Sequence, residues 1–279
     1  MIVENHKDVL VTRKFKFKLD KVATRYWLNG SAVKTLHANT LTTGIPFGER
    51  FFVGCVLPHI RTIKCPLLRK NALAFARQEI NHSKEHLKLY LKSVKPFYPK
   101  LKAKGSFYQV LSVVIAFLAG KKIRLAMVAA IEHYTAVAAD MYLSDATLFD
   151  GADERIVAIW HWHFIEEVEH RAVAFDIFKA SKGNYFQRIA GFFLAGFLLL
   201  IAFFNCFFHM VIYDKLYLSA SFYRESFHFF WGKEGILRKL AIPFLHYLHP
   251  SFHPDKMKQY TSTAQRHDRI LFIQRTLQD

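Results

Sequence analysis

The spacing Glu-x-x-His occurs twice in this 279-residue chain, at Glu79-Ile80-Asn81-His82 and at Glu167-Val168-Glu169-His170. Each copy follows, 30 or more residues downstream, another glutamate in an apolar setting: Glu49 in PFGERFF and Glu132 in AAIEHYTA. Side chains three apart on a helix share one face, so each motif projects a carboxylate and an imidazole towards a common point. Four carboxylates and two imidazoles on apolar helices cannot be buried singly. An uncompensated carboxylate in such a face costs several kcal/mol, on the order of a lost hydrogen bond or more. Glu132 sits within LAMVAAIEHYTAVAA, where the nearest cation along the chain is Arg124, so compensation has to arrive through space.

A metal ion supplies it. Helix bundles that hold two metal ions place one glutamate on each of two helices and Glu-x-x-His on each of two others, which is the order read here. One Glu-x-x-His alone is common on helices and carries little weight; the doubled pattern carries the inference. The expected fold is all-α, a ferritin-like bundle with a dinuclear carboxylate core and an additional long apolar helix. The expected ligands are Glu49, Glu79, His82, Glu132, Glu167 and His170. His163 joins them because His163, Glu167 and His170 fall within a ~60° arc at about 100° per residue. Carboxylate and imidazole donors suit two iron ions first, with manganese or zinc compatible by ligand type.

Neighbouring residues have plainer readings. Glu166 is an alternative to Glu167 through its i, i+4 relation to His170, at a poorer angle to His163. His86, one turn after His82, is expected behind the ligands. Glu85 and Glu169 have no settled direction, and His133 points away from Glu132. Tyr90, Tyr134, Trp160 and Trp162 are expected to pack.

Punctuation divides the chain into a basic arm (1–45), the bundle (46–185), the apolar helix (186–215) and a helical, polar tail packed on the bundle (216–279). VTRKFKFKL in the arm alternates cations and apolar residues, as a short strand or a surface-hugging strip would. Gly44, Pro46 and Gly48 mark the start of the first helix. Further helices are expected over about 67–94, 106–119, 123–143 and, capped by Asp153, about 154–180.

At 52% hydrophobic the chain has ample core, and its net charge of +17 suits an anionic partner. The basic stretch KSVKPFYPKLKAKG lacks interleaved stacking aromatics and reads as a solvated loop, so nucleic acid is not expected. Three cysteines without a C-x-x-C pair argue against a disulfide framework, and the first residues carry no cleavable leader pattern. Ile189 to Tyr213 holds no formal charge and exceeds the about 20 residues that cross a bilayer core. Asn205 and His209 weaken that reading, and a core helix of a large bundle is the competing one. The expected location is the cytoplasmic side, associated with an anionic membrane surface through residues 189–213; a homodimer is compatible.

Around these residues the chain resembles a bacterial family described as predicted metal-dependent hydrolases. The matching stretches are Trp27, FGERFF, RQEINHSKEH, AIEHYTA, WHWHFIEEVEHRAVAFDIF and SFHPD, from about residue 10 to 255. With His163 the ligand order is also similar to that of di-iron N-oxygenases acting on arylamines, which implies the same seven ligands. Three functions follow as expectations. The first is a dioxygen-dependent oxidase or oxygenase acting on a small apolar or aromatic substrate, with an external electron donor. The second is a hydrolase using a metal-activated water, as the family description implies. The third is a non-catalytic, membrane-associated metal-binding protein.

Overall fold

The computed structural model describes residues 9–19, 23–101, 114–115, 117–145 and 147–278. Among them every regular element is helical, so the chain is all-α. The principal helices are α1 (Ala32–Ile60), α2 (Pro66–Ser93), α3 (Lys121–Ser144), α4 (Glu154–His170), α5 (Val173–Ala180), α6 (Tyr185–Tyr213), α7 (Ala220–Trp231), α8 (Ile236–Leu245) and α9 (Thr263–Thr276). Helix α1 packs along α2, α3 lies between α4 and α6, and α9 closes over α4.

The buried stripes explain why these helices meet. On α2 the stripe is Leu68, Ala72, Phe75, Glu79, His82, His86, Leu89 and Ser93, in alternating steps of four and three. On α3 it is Leu125, Ala129, Glu132, Ala136, Ala139 and Leu143, and on α4 Ile156, Trp160, His163, Glu167 and His170. Such steps keep one seam facing neighbouring helices. The glutamates and histidines therefore occupy core positions of the seam, between apolar residues above and below.

Helix α1 starts earlier than the first helix expected from Gly44, Pro46 and Gly48. It begins at Ala32, capped by Ser31, whose hydroxyl accepts from the Lys34 N–H, and runs through Pro46 and Pro58. An interior proline costs about 3 kcal/mol. Burying Leu36, Phe52, Val56 and Ile60 on the same helix contributes about 1.5–3 kcal/mol each and outweighs it. The arm proper ends before Trp27, whose indole N–H donates to Asn39 Oδ1 at 3.0 Å. Residues 9–19 form no strand; Leu10 N–H donates to Asn71, Gln78 donates to the Val11 carbonyl, and Phe17 is buried against Trp162.

The helix expected over 106–119 falls largely outside the described residues. Asp153 does cap α4, accepting from the Arg155 N–H. The helix expected to reach residue 180 is interrupted at Arg171 and Ala172 instead, where the Arg171 guanidinium donates to the Val168 carbonyl. Lys182 turns the chain with φ +57°, and Asn184 caps α6.

The apolar segment is a single helix, α6, long and apolar enough to cross a membrane by length and composition alone. Its inner face is tightly seated on α3. A Cβ at Gly191 would come within 2.6 Å of Ala126 Cβ and 2.7 Å of the Ala126 carbonyl carbon. Tyr134 donates to the Phe192 carbonyl at 3.0 Å. Gly191→Val should therefore force the two helices apart. The expected loss is about 1–3 kcal/mol, read as a drop of several degrees in thermal unfolding. A rise in Tm, the usual result of removing glycine from a helix, would show the close approach to be absent.

Candidate metal centre

The structure brings all seven sequence-predicted residues together in one buried cluster, none more than 4% exposed. Helix α1 delivers Glu49, α2 Glu79 and His82, α3 Glu132, and α4 His163, Glu167 and His170. Ligand atoms of Glu49, His82, His163 and Glu167 lie within 4.8 Å of one another, and so do those of Glu79, Glu167 and His170. Glu167 belongs to both groups. Its Oε1 is 3.5 Å from both His163 Nε2 and His170 Nε2 and 3.9 Å from His82 Nδ1. Glu132 Oε2 lies 3.5 Å from His170 Nδ1. Glu79 Oε1 reaches both ways, 3.3 Å from His170 Nδ1 and 3.8 Å from His82 Nδ1. The position between the two halves thus falls to Glu167 and Glu79, while Glu132 stands at one end.

Aromatic rings wall the cluster. Trp162 meets the His82 ring edge-on at 4.7 Å, and Phe75 lies 4.9 Å from the His170 ring. Trp162 thus borders the cluster, although packing is its main role.

The polar atoms are left without protein partners. Both oxygens of Glu49, Glu79 and Glu132, Nδ1 of His82 and His163, and both nitrogens of His170 make no hydrogen bond. Among the described residues no lysine or arginine pairs with Glu49, Glu79, Glu132 or Glu167; their charged neighbours are the three histidines. Each orphaned buried group costs about 1–3 kcal/mol. A protein accumulates this many only where something else satisfies them.

Titration reflects the same strain. Burial, then repulsion from Glu167 and Glu132, raises the Glu49 carboxyl well above its ordinary range. Burial likewise raises Glu79, helped by Glu132 and Glu167, and it raises Glu132 against the opposing pull of His170. Burial opposes ionisation of Glu167 too, but His170, His163 and His82 outweigh it and hold that carboxyl down. Burial lowers His170, yet Glu132 and Glu167 prevail and lift it to about 9. Burial, then the His82 ring, lowers His163 to about 3. Metal-free, the centre holds a charged Glu167–His170 pair, and burial opposes ionisation of the acids around it.

The residues around the cluster have definite tasks. Glu166 sits beside the cluster, where its Oε2 contacts His82 Nε2 at 3.0 Å, while Nδ1 of that ring faces the cluster. Glu166 is itself held by the Arg13 backbone N–H at 3.1 Å, and the Arg13 guanidinium forks onto Glu169 with two bonds of 2.7 Å. The basic arm is therefore clamped across the outer side of the centre. Sequence reasoning missed Arg13; its only signal was two spare carboxylates on a helix opposite a cationic strip. Glu85 pairs with Lys88, and His133 contacts the Pro243 carbonyl, away from the cluster. His86 stands edge-on to His163 and Trp160, both at 4.7 Å. The SFHPD stretch anchors the tail: His253 contacts Asp176 at 3.0 Å, and Arg171 contacts Asp255 at 3.3 Å.

Carboxylates that orient a metal-ligating imidazole are worth about 10–100-fold in affinity. Glu166→Gln is expected to weaken metal binding by about that factor while helix content holds. Titration calorimetry with a divalent metal checks it, and unchanged affinity would strip Glu166 of its role.

Fold and cluster together define an all-α protein with a buried histidine–glutamate centre of metal-ligand character. The chain belongs to the family described as "Predicted metal-dependent hydrolase", whose family model matches residues 11–258. Among curated proteins and among solved structures, none matches the chain.

Proposed function

We propose that this protein is a metal-dependent enzyme whose four core helices hold two divalent ions in a ferritin-like arrangement. One observation carries the reading: two adjoining groups of unpartnered ligand atoms that share Glu167. Glu49, His82 and His163 would hold one ion, and Glu79, Glu132 and His170 the other. Glu167 would lie between them, with Glu79 within reach of both. Charge supports the number. Four carboxylates carry −4, and two divalent ions bring the buried centre to neutrality, which a low-dielectric interior requires. A single ion would leave two of the four carboxyls to be neutralised by protons. The donor set suits iron and manganese best and accommodates zinc.

Bound there, such ions supply Lewis acidity and lower the pKa of water. The chain's own contribution is to orient and to exclude. Glu166 aims His82, the Arg13 clamp fixes Glu166, and the Phe75 and Trp162 rings keep bulk water from the donors. Hydrolysis is the reaction named in the family description, and it is the first reading. A second, oxidation of a small apolar or aromatic substrate by dioxygen with an external electron donor, is favoured by a different observation: the donors are buried beneath aromatic side chains. That surrounding suits chemistry from which water is excluded.

Metal analysis of the purified protein, paired with two assays, tests the proposal. Two ions per chain with ester, amide or phosphoester turnover supports hydrolysis. Two iron ions with reductant-dependent oxygen uptake supports oxidation. Metal without either turnover leaves a binding protein, and failure to take up any divalent metal after reconstitution overturns the proposal altogether.

A further inference from the structure

We propose that α6, together with α7 and α8, forms a face that docks in the headgroup plane of an anionic lipid surface. The outer side of α6 presents Phe193, Phe197, Leu200, Phe204, Phe208 and Ile212, each between 48% and 64% exposed. Only 28% of the most apolar stretch of this helix is buried inside the protein. Soluble monomers rarely leave so continuous an apolar run uncovered.

The inner side of the helix is fastened to the bundle through Gly191, Ala195 and Phe192, which leaves its outer side as the one that meets lipid. The chain after α6 returns alongside it. Phe222 and Phe230 pack on Phe207, and further on Tyr247 stacks on Phe192 while Tyr185 donates to the Leu248 carbonyl. These later helices expose further large apolar residues, Tyr223, Phe227 and Trp231 on α7 and Ile242 and Leu245 on α8, all more than half exposed. Tyrosine and tryptophan on such a border are characteristic of the membrane–water boundary. Asn205 and His209, the polar residues of the segment, are both half-buried and both have partners.

Charge selects the occupant. Exposed Arg224, Lys233 and Arg238 are interspersed with the apolar residues of α7 and α8, and Lys215 follows α6; these four outnumber the exposed acids of the same stretch, Glu225 and Glu234, the second of which pairs with Lys239. Lys121, Lys122 and Lys182 stand near its other end, where Lys122 reaches the Lys182 carbonyl. A two-fold contact between copies would set these cations, on chains of net charge +17, against their own images. Anionic headgroups complement them.

Full-length protein is sedimented with phosphatidylcholine vesicles, with and without phosphatidylglycerol. The expected result is co-sedimentation with the anionic vesicles, weakened at least about tenfold by high salt. Phe204→Ser with Phe208→Ser, on the outward side, should lower binding at least about tenfold with unfolding temperature and metal content unchanged. Arg224→Glu with Lys233→Glu alters surface charge alone and should lower binding to anionic vesicles selectively, which covers the case of a misfolded serine variant. Protein that stays in the supernatant with every vesicle composition, or that elutes without lipid as a stable dimer broken by the serine pair, overturns the proposal. Equal binding to neutral vesicles overturns the choice of an anionic surface.

Discussion

Glu167→Ala is expected to empty the whole centre, not half of it. Glu167 Oε1 lies 3.5 Å from His163 and His170 and 3.9 Å from His82, so its removal takes a donor from both groups at once. Outer carboxylates that only orient a ligand are worth about 10–100-fold in metal affinity. On the proposed two-ion reading a side chain shared between both ions exceeds that, and binding should fall by more than about a hundredfold, with metal-dependent turnover lost in step. Glu132→Ala provides the contrast. Glu132 approaches His170 alone among the histidines, so its loss is expected to reduce bound metal from two ions towards one. Both variants should keep their helix content, because the seams above and below the cluster are apolar. Metal analysis beside far-ultraviolet circular dichroism reads the two effects separately. If Glu167→Ala retained two ions per chain, the shared position would be wrongly assigned.

The asymmetry between these two glutamates marks the limit of what spacing conveys. Residues three and four apart on one helix must share a face, so Glu79 with His82 and His163 with Glu167 and His170 could be grouped from the sequence. Which carboxylate stands between the halves depends on how four helices are rotated about their axes, and no single helix contains that information. Glu166 shows the same limit at one residue's distance. Its sequence position allowed a direct role beside His170, and only the placement of α2 brings it against His82 Nε2. Arg13 lies 153 residues from its glutamate partner, a contact no local pattern announces. The start of α1 was misplaced for a different reason. Gly44, Pro46 and Gly48 carry real local penalties, and the tertiary burial of Leu36, Phe52 and Val56 exceeds them. Helix existence and the apolar character of α6 were legible because each is a property of one continuous segment.

Metal-free protein is expected to lose stability as the pH rises from 6.5 to 8.5, whereas metal-loaded protein is not. The histidines that burial lowers, among them His37 and His133 to about 4 and His163 to about 3, are still half protonated at pH 6.5 in the unfolded chain, so they oppose this slope at the low end of the window and cease to contribute towards pH 8.5. The groups raised by folding decide the sign. Glu49, Glu79 and Glu132 retain protons in the folded chain that the unfolded chain has already lost, and His170, lifted to about 9, does the same above its ordinary 6.5. With more protons bound to the folded state than to the unfolded one, raising the pH destabilises the fold. Glu167 is depressed; its contribution is complete above its ordinary range and is lost only in acid. Metal binding requires Glu49, Glu79, Glu132 and His170 to give up these protons, so affinity must climb with pH as the cost of releasing them falls. At a free metal concentration a thousandfold above Kd, binding adds about 4 kcal/mol, on the order of 10 °C in Tm for a chain of this size. The increment should therefore be largest near pH 8 and shrink towards pH 6.5. Thermal unfolding of metal-free and metal-loaded protein across that range measures it, with calorimetry in buffers of different ionisation enthalpy counting the protons released. Metal-free stability that rises with pH, or metal binding without proton release, would contradict a centre of neutral acids waiting for cations.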